Sequence, residues 1–258
     1  MIKPIADLPG WRRLALDTVE STNADAFKLA QHGDPGQVWI TANRQTKGRA
    51  RRGRHWVSEP GNLYATLLLI DPAPSENLVT LPLVISLALH KALVTCLPEI
   101  ADGLKIKWPN DVLLNGEKLS GILLEASPDG HGRLAVVIGC GINCEHFPDD
   151  PLYPATSLLH NGTPLHREKL FDQFSLSMAH ELRIWSRGAG FSIIRKEWLD
   201  RAHGVGDAIV ARFPDKTISG RFLDIDHDGM LLLEDHDRHV QKISAADIFF
   251  GESAASGT

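Results

Sequence analysis

The dipeptide Asn115-Gly116 limits the fold more than any other feature, because it falls between two apolar runs, residues 112–114 and 118–126. Asn followed by Gly readily takes the two consecutive left-handed conformations of a tight primed turn, so the flanking runs read as an antiparallel hairpin. The second run then meets the turn-rich Ser127-Pro128-Asp129-Gly130 and a third apolar run, 134–142, which reads as a second hairpin. An antiparallel centre with helices packed outside it follows. Val38, Ile40 and Ala42 alternate with their neighbours, and residues 62–70 are rich in apolar side chains, so both segments read as further strands. Residues 22–31 read as a short helix that Ser21, Thr22 or Asn23 can cap, with Asp25 in its first turn. Residues 80–97 read as a longer buried helix in which Pro82 is tolerated because it lies in the first turn. Two amphipathic helices follow, over 167–187 and 191–202.

At Gly204 the pattern changes to short alternating runs, 208–212, 218–224, 230–234 and 240–243, which is the spacing of a small β-barrel. A boundary near residue 203 is expected, giving a domain over 1–203 and a second over 204–258 whose tail, 252–258, reads as disordered. The chain has 258 residues, enough for one large domain and one small one. Its net charge is −5, and the ten acids against five bases in 204–258 account for that sign. A general nucleic-acid or membrane-surface binder would be basic, so that class loses weight. The most apolar stretch, 81–94, is interrupted by Pro82, Ser86, His90 and Lys91 and reads as too short to span a bilayer. The N-terminus lacks the apolar core of a signal peptide. Three cysteines, Cys96, Cys140 and Cys144, form no disulfide framework and point to a reducing, cytoplasmic setting.

The chemistry concentrates in two segments. Six of the eleven residues 44–54 are basic and none is acidic. Like charges at this density repel, so the segment reads as a mobile loop until an anion neutralises it. Arg guanidinium matches phosphate or carboxylate bidentately, and Gly48 and Gly53 let the backbone approach a ligand. Taken alone, the run equally fits a solvated charge stretch or a nucleic-acid arm. Its place between two core strands favours a lid over a site. The second segment, Lys107-Trp108-Pro109-Asn110-Asp111, is a rigid corner that presents a cation, an amide and a carboxylate. The plain alternative is an Asn-Asp turn with a salt-bridged lysine. Lys118 and then Gly121 begin the return strand of the hairpin beside that corner.

Other motifs fail. Gly139-Cys140-Gly141 lacks the third glycine of a dinucleotide loop, and Cys140 and Cys144 have no second pair at zinc spacing and read as buried thiols. Residues 224–229 open like an EF-hand, but the twelfth position is Asp235 and the flanks alternate like strands, so an exposed acidic turn is expected.

The loop Q-T-K-G-R-A-R-R-G-R-H-W (45–56), the corner K-W-P-N-D (107–111), the strand K-L-S-G-I-L-L-E (118–125), Ser21-Thr22-Asn23 and I-G-C-G-I-N (138–143) together resemble the biotin–protein ligases, in that family's order. Ala50 stands where the family's loop usually has a glycine. The resemblance covers nearly the whole chain and is to the monofunctional kind, which has no DNA-binding domain or repressor activity. It implies an α+β fold with a mixed, largely antiparallel central sheet flanked by helices, class II synthetase-like, followed by a small SH3-like β-barrel. It implies that ATP and biotin are substrates, that Mg²⁺ accompanies ATP, and that biotin passes from biotinyl-5′-adenylate to a lysine of a biotin carboxyl carrier domain. DNA and membrane are not expected partners, and a homodimer is left open. By the same resemblance Ser21, Thr22, Asn23, Gln45, Gly48, Arg49, Lys118 and Gly121 line the biotin side, and Arg51, Arg52, Trp56, Lys107, Asn110, Asp111 and Asn143 the adenylate side. Lys118, Arg49, Arg51 and Asp111 are the expected catalytic groups, Asp111 also being the candidate Mg²⁺ partner. The rival readings are a lipoate or octanoate ligase and a nucleic-acid-binding module.

Overall fold

In the computed structural model, which describes residues 1–148 and 154–250, Asn115 and Gly116 both take positive φ, 54° and 84°, and close the hairpin between β6 (Asp111–Leu114) and β7 (Glu117–Pro128). The expected tail, 252–258, lies outside the described residues. β7 pairs antiparallel with β8 (Leu134–Ile142). Their turn comes later than the sequence suggests: Pro128 still pairs with Leu134, and Asp129 closes the loop by accepting from the amides of His131 at 2.7 Å and Arg133 at 3.1 Å.

These strands belong to an eight-stranded sheet completed by β1 (Lys3–Ile5), β2 (Leu8–Val19), β3 (Val38–Gln45), β4 (Leu63–Ile70) and β5 (Leu104–Lys107), in the order β1-β2-β3-β4-β8-β7-β6-β5. Every pair is antiparallel except β2 with β3, which a crossover through α1 (Thr22–Gln31) joins in parallel. β1 and β2 carry no clear apolar alternation and were not expected. The sheet is covered on both faces. Ala26 and Ala30 of α1, with no exposed surface, let this helix lie close over Val38, Ile40, Leu68 and Val137. The alternate residues, among them Trp39, Leu67 and Ile138, face the layer of α2 (Leu81–Cys96), α3 (Arg167–Trp185) and α4 (Phe191–Leu199). That alternation is the period-2 pleat of a sheet buried on both faces.

The helical run Ser75–Cys96 is long and apolar enough by length and composition to cross a membrane, contrary to the expectation that its polar residues interrupt it. Those residues are used in the core instead. Ser86 accepts from the Trp198 indole at 3.1 Å, His90 Nε2 meets the Leu104 carbonyl at 3.2 Å, and Lys91 pairs with Glu181 and Glu197 at 2.8 and 2.7 Å. Burial pushes the His90 imidazole down to about 4, so it sits in the core uncharged.

The C-terminal strands β9 (Ala208–Arg212), β10 (Thr217–Ile225), β11 (Leu231–Glu234), β12 (Val240–Ile243) and β13 (Asp247–Phe250) form a second, wholly antiparallel sheet ordered β12-β11-β10-β9-β13. β13 has no counterpart among the expected runs. The two sheets are clasped together. The amide of Ile106 donates to the Arg201 carbonyl at 2.9 Å, and His203 returns a bond to Ile106 at 2.8 Å, covering the β5 edge. The Trp108 indole, from the rigid corner, donates to the carbonyl of Gly229 at 3.1 Å. Gly229 ends the turn expected to be exposed and acidic, but Asp226 is buried there. Its carboxylate accepts from the amides of Asp228 and Met230 and pairs with Lys242 at 2.7 Å, so it shapes the turn that receives Trp108.

Candidate active site

A cavity of about 370 Å³ opens where β7 and β8, the start of α1, the basic loop, the corner at 107–111 and the segment 246–248 meet. That size suits a small organic ligand. Its floor is made of glycine. Gly121 and Gly141 pair across β7 and β8, and the Trp56 indole lies against both. A Cβ on Gly121 would come within 2.9 Å of that ring, and one on Gly141 would overlap it. A Cβ on Gly139 would overlap the Asn23 side chain. Bare backbone is therefore required at these positions for the loop and the helix start to close over the strands.

One end of the cavity is a hydrogen-bonded polar cluster. Gln45 Oε1 accepts from the backbone amide of Thr22 at 2.9 Å and from its hydroxyl at 3.0 Å, while Gln45 Nε2 donates to Ser58 at 3.0 Å. The side chain of Ser21 makes no capping bond, so the cap of α1 comes from β3 rather than from Ser21, Thr22 or Asn23. Thr66 donates to Asn23 Oδ1 at 2.7 Å, and Asn23 Nδ2 donates to Glu125 at 2.8 Å. Glu125 also holds Arg49 at 2.9 Å.

The other end gathers cations. Arg51, Arg54, Lys107 and Lys118 line it there, while Arg49 lines the cavity from the polar end, on Glu125. Lys118 Nζ lies 2.8 Å from Asp111 Oδ1 and 5.7 Å from the centre of the Trp56 ring. Arg51 donates to Asn110 Oδ1 at 3.1 Å, and Asn110 is fixed in turn by donating to the Ile122 carbonyl. Burial lowers the Arg51 pKa against the pull of Asp111. Lys107 is 9% exposed, and burial brings its ammonium down to about 8, an effect that Asp111 opposes and Lys118 reinforces. Asn143 lines the cavity but turns its amide to the Thr156 carbonyl at 3.0 Å.

Two expected residues fall outside this lining. Gly48 lies under the loop, where its carbonyl accepts from the Trp56 amide at 3.0 Å and a Cβ would strike the Ser58 hydroxyl at 2.6 Å. Arg52 turns away to Asp247 at 2.7 Å. Five of the loop's six cations, expected to meet an external anion, pair with carboxylates of the chain: Lys47 with Glu20, Arg44 with Glu59, Arg49 with Glu125, and Arg52 and Arg54 with Asp247, while Arg51 meets the Asn110 amide. A short 3₁₀ turn at Arg51–Gly53 orders the apex, with positive φ at Arg52 and Gly53. Ala50 sits at φ −120°, ψ 178°, which any residue adopts, so the missing glycine costs nothing there. Sequence reasoning missed Arg54, His55 and Trp108, although all lie within the two segments it marked. It also missed Ala246, Asp247 and Ile248, which no local signal distinguishes.

Residues 16–143 match the biotin/lipoate A/B protein ligase family, and residues 205–251 match the biotin protein ligase C-terminal domain. A biotin–[acetyl-CoA-carboxylase] ligase of Paracoccus denitrificans is 39% identical over 246 residues, which span 92% of this chain and 99% of that protein. The bifunctional ligase/repressor BirA of Bacillus subtilis is 34% identical over 243 residues, 91% of this chain and 73% of that protein. The biotin protein ligase of Aquifex aeolicus, solved in complex with biotin and ATP, superposes with a TM-score of 0.79 at 27% identity, over 93% of this chain and 99% of that one. With the glycine floor, the polar end and the cation end in one cavity, these likenesses make the chain a member of the biotin protein ligase family.

Proposed function

We propose that this cavity holds biotin and ATP together, joins them as biotinyl-5′-adenylate with release of pyrophosphate, and passes the biotinyl group to a lysine of a biotin carboxyl carrier domain. The observation that carries this reading is the convergence of Arg49, Arg51, Arg54, Lys107 and Lys118 on one pocket, where they outnumber the carboxylates Glu59, Asp111 and Asp247. Attack of a carboxylate on the α-phosphate brings two anions together and builds further negative charge on the phosphoryl oxygens. Cations fixed at that place stabilise the transition state more than the separated substrates. Lys118, Arg49 and Arg51 take this role. Ser21, Thr22, Asn23, Gln45 and Gly121 shape the biotin end, with Gly48 setting the loop above it. Trp56, Lys107 and Asn110 shape the nucleotide end, with Asn143 in its wall and Arg52 supporting the loop from outside.

The mixed anhydride is readily hydrolysed, and Trp56 lying across Gly121 and Gly141 covers the floor against water. Asp111, the carboxylate beside Lys118, takes the proton that the acceptor lysine loses in the second step. For Mg²⁺ the residues fit an ion carried by the phosphates rather than caged by protein, because the cavity's carboxylates are already engaged, Asp111 by Lys118, Asp247 by Arg52 and Arg54, and Glu59 by Arg44. Bound that way, the ion would mask triphosphate charge beside Asp111. The division near residue 203 separates this catalytic unit from the C-terminal sheet, and the separate match over 205–251 supports it. Free thiols at Cys96, Cys140 and Cys144 support a cytoplasmic setting. The test is exchange of labelled pyrophosphate into ATP: the reading expects exchange that requires biotin, and exchange supported by lipoate alone would overturn it.

A further inference from the structure

One threonine behind the cavity wall holds the start of α1. Thr66 lies on β4 in register with Gly139 of β8 and has no exposed surface. Two and four residues further on, Leu68 and Ile70 pack under α1, so Thr66 shares the face of the sheet that this helix covers. A hydroxyl buried there is costly unless it is hydrogen-bonded, and a valine would suit the strand at least as well. The bonds are present. Thr66 Oγ1 lies 2.7 Å from Asn23 Oδ1 and 2.7 Å from Thr22 Oγ1. Its hydrogen goes to Asn23, because Asn23 Nδ2 is turned to Glu125 at 2.8 Å and Oδ1 is left to accept. Asn23 fills the space above Gly139, where a Cβ would overlap its side chain. Thr66, Gly139 and Glu125, on the adjacent strands β4, β8 and β7, thus form a socket for Asn23. Ser21, Thr22 and Asn23 line the cavity, and Thr66 stands behind them.

We propose that Thr66 is a positioning residue for the biotin end of the site. Through Asn23 and Thr22 its hydroxyl fixes the first turn of α1, and with it the groups of Ser21 and Thr22 that a ligand meets. A wall set in place beforehand spares the ligand the entropy of ordering it. The effect therefore falls on the binding of biotin, and not on ATP at the other end of the cavity or on the chemical step. What this turn binds rests on the function proposed above; its placement by Thr66 does not.

The experiment uses the full chain. Thr66→Val keeps the branched shape and removes the hydroxyl, while Thr66→Ser keeps the hydroxyl. In the ligand-free protein, hydrogen–deuterium exchange reads the amides of Thr22 and Asp25, which bond to Gln45 Oε1 and to the Ser21 carbonyl. A net hydrogen bond shifts an equilibrium by up to about tenfold, so Thr66→Val should speed exchange there about tenfold, with the rest of the sheet unchanged. Calorimetry with biotin alone should give a Kd raised about tenfold. Biotin-dependent pyrophosphate exchange should show the KM for biotin raised likewise, with the KM for ATP and kcat within about twofold. Thr66→Ser should restore near-wild-type values throughout. Adding Thr66→Val to Asn23→Ala should change little further, because the hydroxyl acts through Asn23. Should Thr66→Val fail to fold, Thr66→Ala must give the same split. Wild-type exchange at Thr22 and Asp25 in Thr66→Val overturns the proposal. So does a loss in Thr66→Ser equal to that in Thr66→Val, or a KM for ATP that rises with the KM for biotin. If the wild-type chain binds no biotin, the proposed function fails while the hydrogen-exchange arm still decides the role of Thr66.

Discussion

Replacing Lys107 by Met should make the unliganded protein more stable while crippling it for ATP. Burial holds the Lys107 ammonium at about 8, against an ordinary value of 10.5. At 1.36 kcal/mol for each pH interval of one, that gap of about 2.5 corresponds to about 3 kcal/mol by which the charged lysine opposes folding at neutral pH. The sign follows from the folded value being the lower one. Below pH 8 the penalty is present in full. Between about 8 and 10.5 the unfolded chain binds the extra proton, so wild-type stability rises with pH until the penalty has gone. Met keeps most of the aliphatic stem against Phe250, whose ring centre lies 5.6 Å from the lysine nitrogen, and removes the charge. Urea unfolding at several pH values from 7 to 10 reads the difference. Lys107→Met should exceed the wild type by up to about 3 kcal/mol at pH 7, with the excess narrowing above pH 8 to about a quarter of that by pH 10. A lysine that opposes folding in the free protein makes physical sense where an anion will later join it, so the same variant should raise the KM for ATP at least tenfold. A variant less stable than wild type at pH 7, or a difference that does not change with pH, would refute the reasoning.

Three further outcomes are expected. Lys118→Ala should lower biotin-dependent pyrophosphate exchange by about 10²–10³, the usual loss for one transition-state donor, with thermal unfolding showing that the fold persists. Arg51→Ala removes a charged donor worth ~1.5–3 kcal/mol, so trapped biotinyl-5′-adenylate should dissociate roughly tenfold to a hundredfold faster in a filter-binding chase. Gly141→Ala puts a methyl group where the Trp56 indole lies; overpacking of this kind costs about 1–3 kcal/mol, and the displaced ring should appear as a raised KM for biotin and faster hydrolysis of the adenylate.

The parts of the fold that the sequence announces are those whose cause is local. Asn115-Gly116 dictates its own turn, and the apolar run after Pro82 becomes a core helix whatever surrounds it. Leu8–Val19 is a strand because Val38–Gln45 lies beside it in parallel; its own Gly10, Arg12 and Arg13 break any alternation. β13 shows no alternation of its own, since Ile248, Phe249 and Phe250 are consecutive apolar residues, and it is a strand because it pairs with β9. The candidate site divides in the same way. Arg44 to Arg54 and the 107–111 corner declare themselves by charge density and by Pro109. Their partners do not, since Arg52 meets Asp247 across 195 positions and the cap of α1 comes from Gln45, 23 positions beyond Thr22. Asp226 shows the converse, a motif that looks like a surface cation loop and instead folds the turn that receives Trp108.

The central claim is that one cation-lined cavity over a glycine floor activates a small carboxylic acid with ATP and that this acid is biotin. Incubating the full chain with a biotin carboxyl carrier domain, ATP and labelled biotin, beside a parallel reaction with labelled lipoate, tests it most directly. The account predicts label on a single carrier lysine with biotin, dependent on ATP and lost in Lys118→Ala. Label from lipoate alone, or biotin label undiminished in Lys118→Ala, would contradict it.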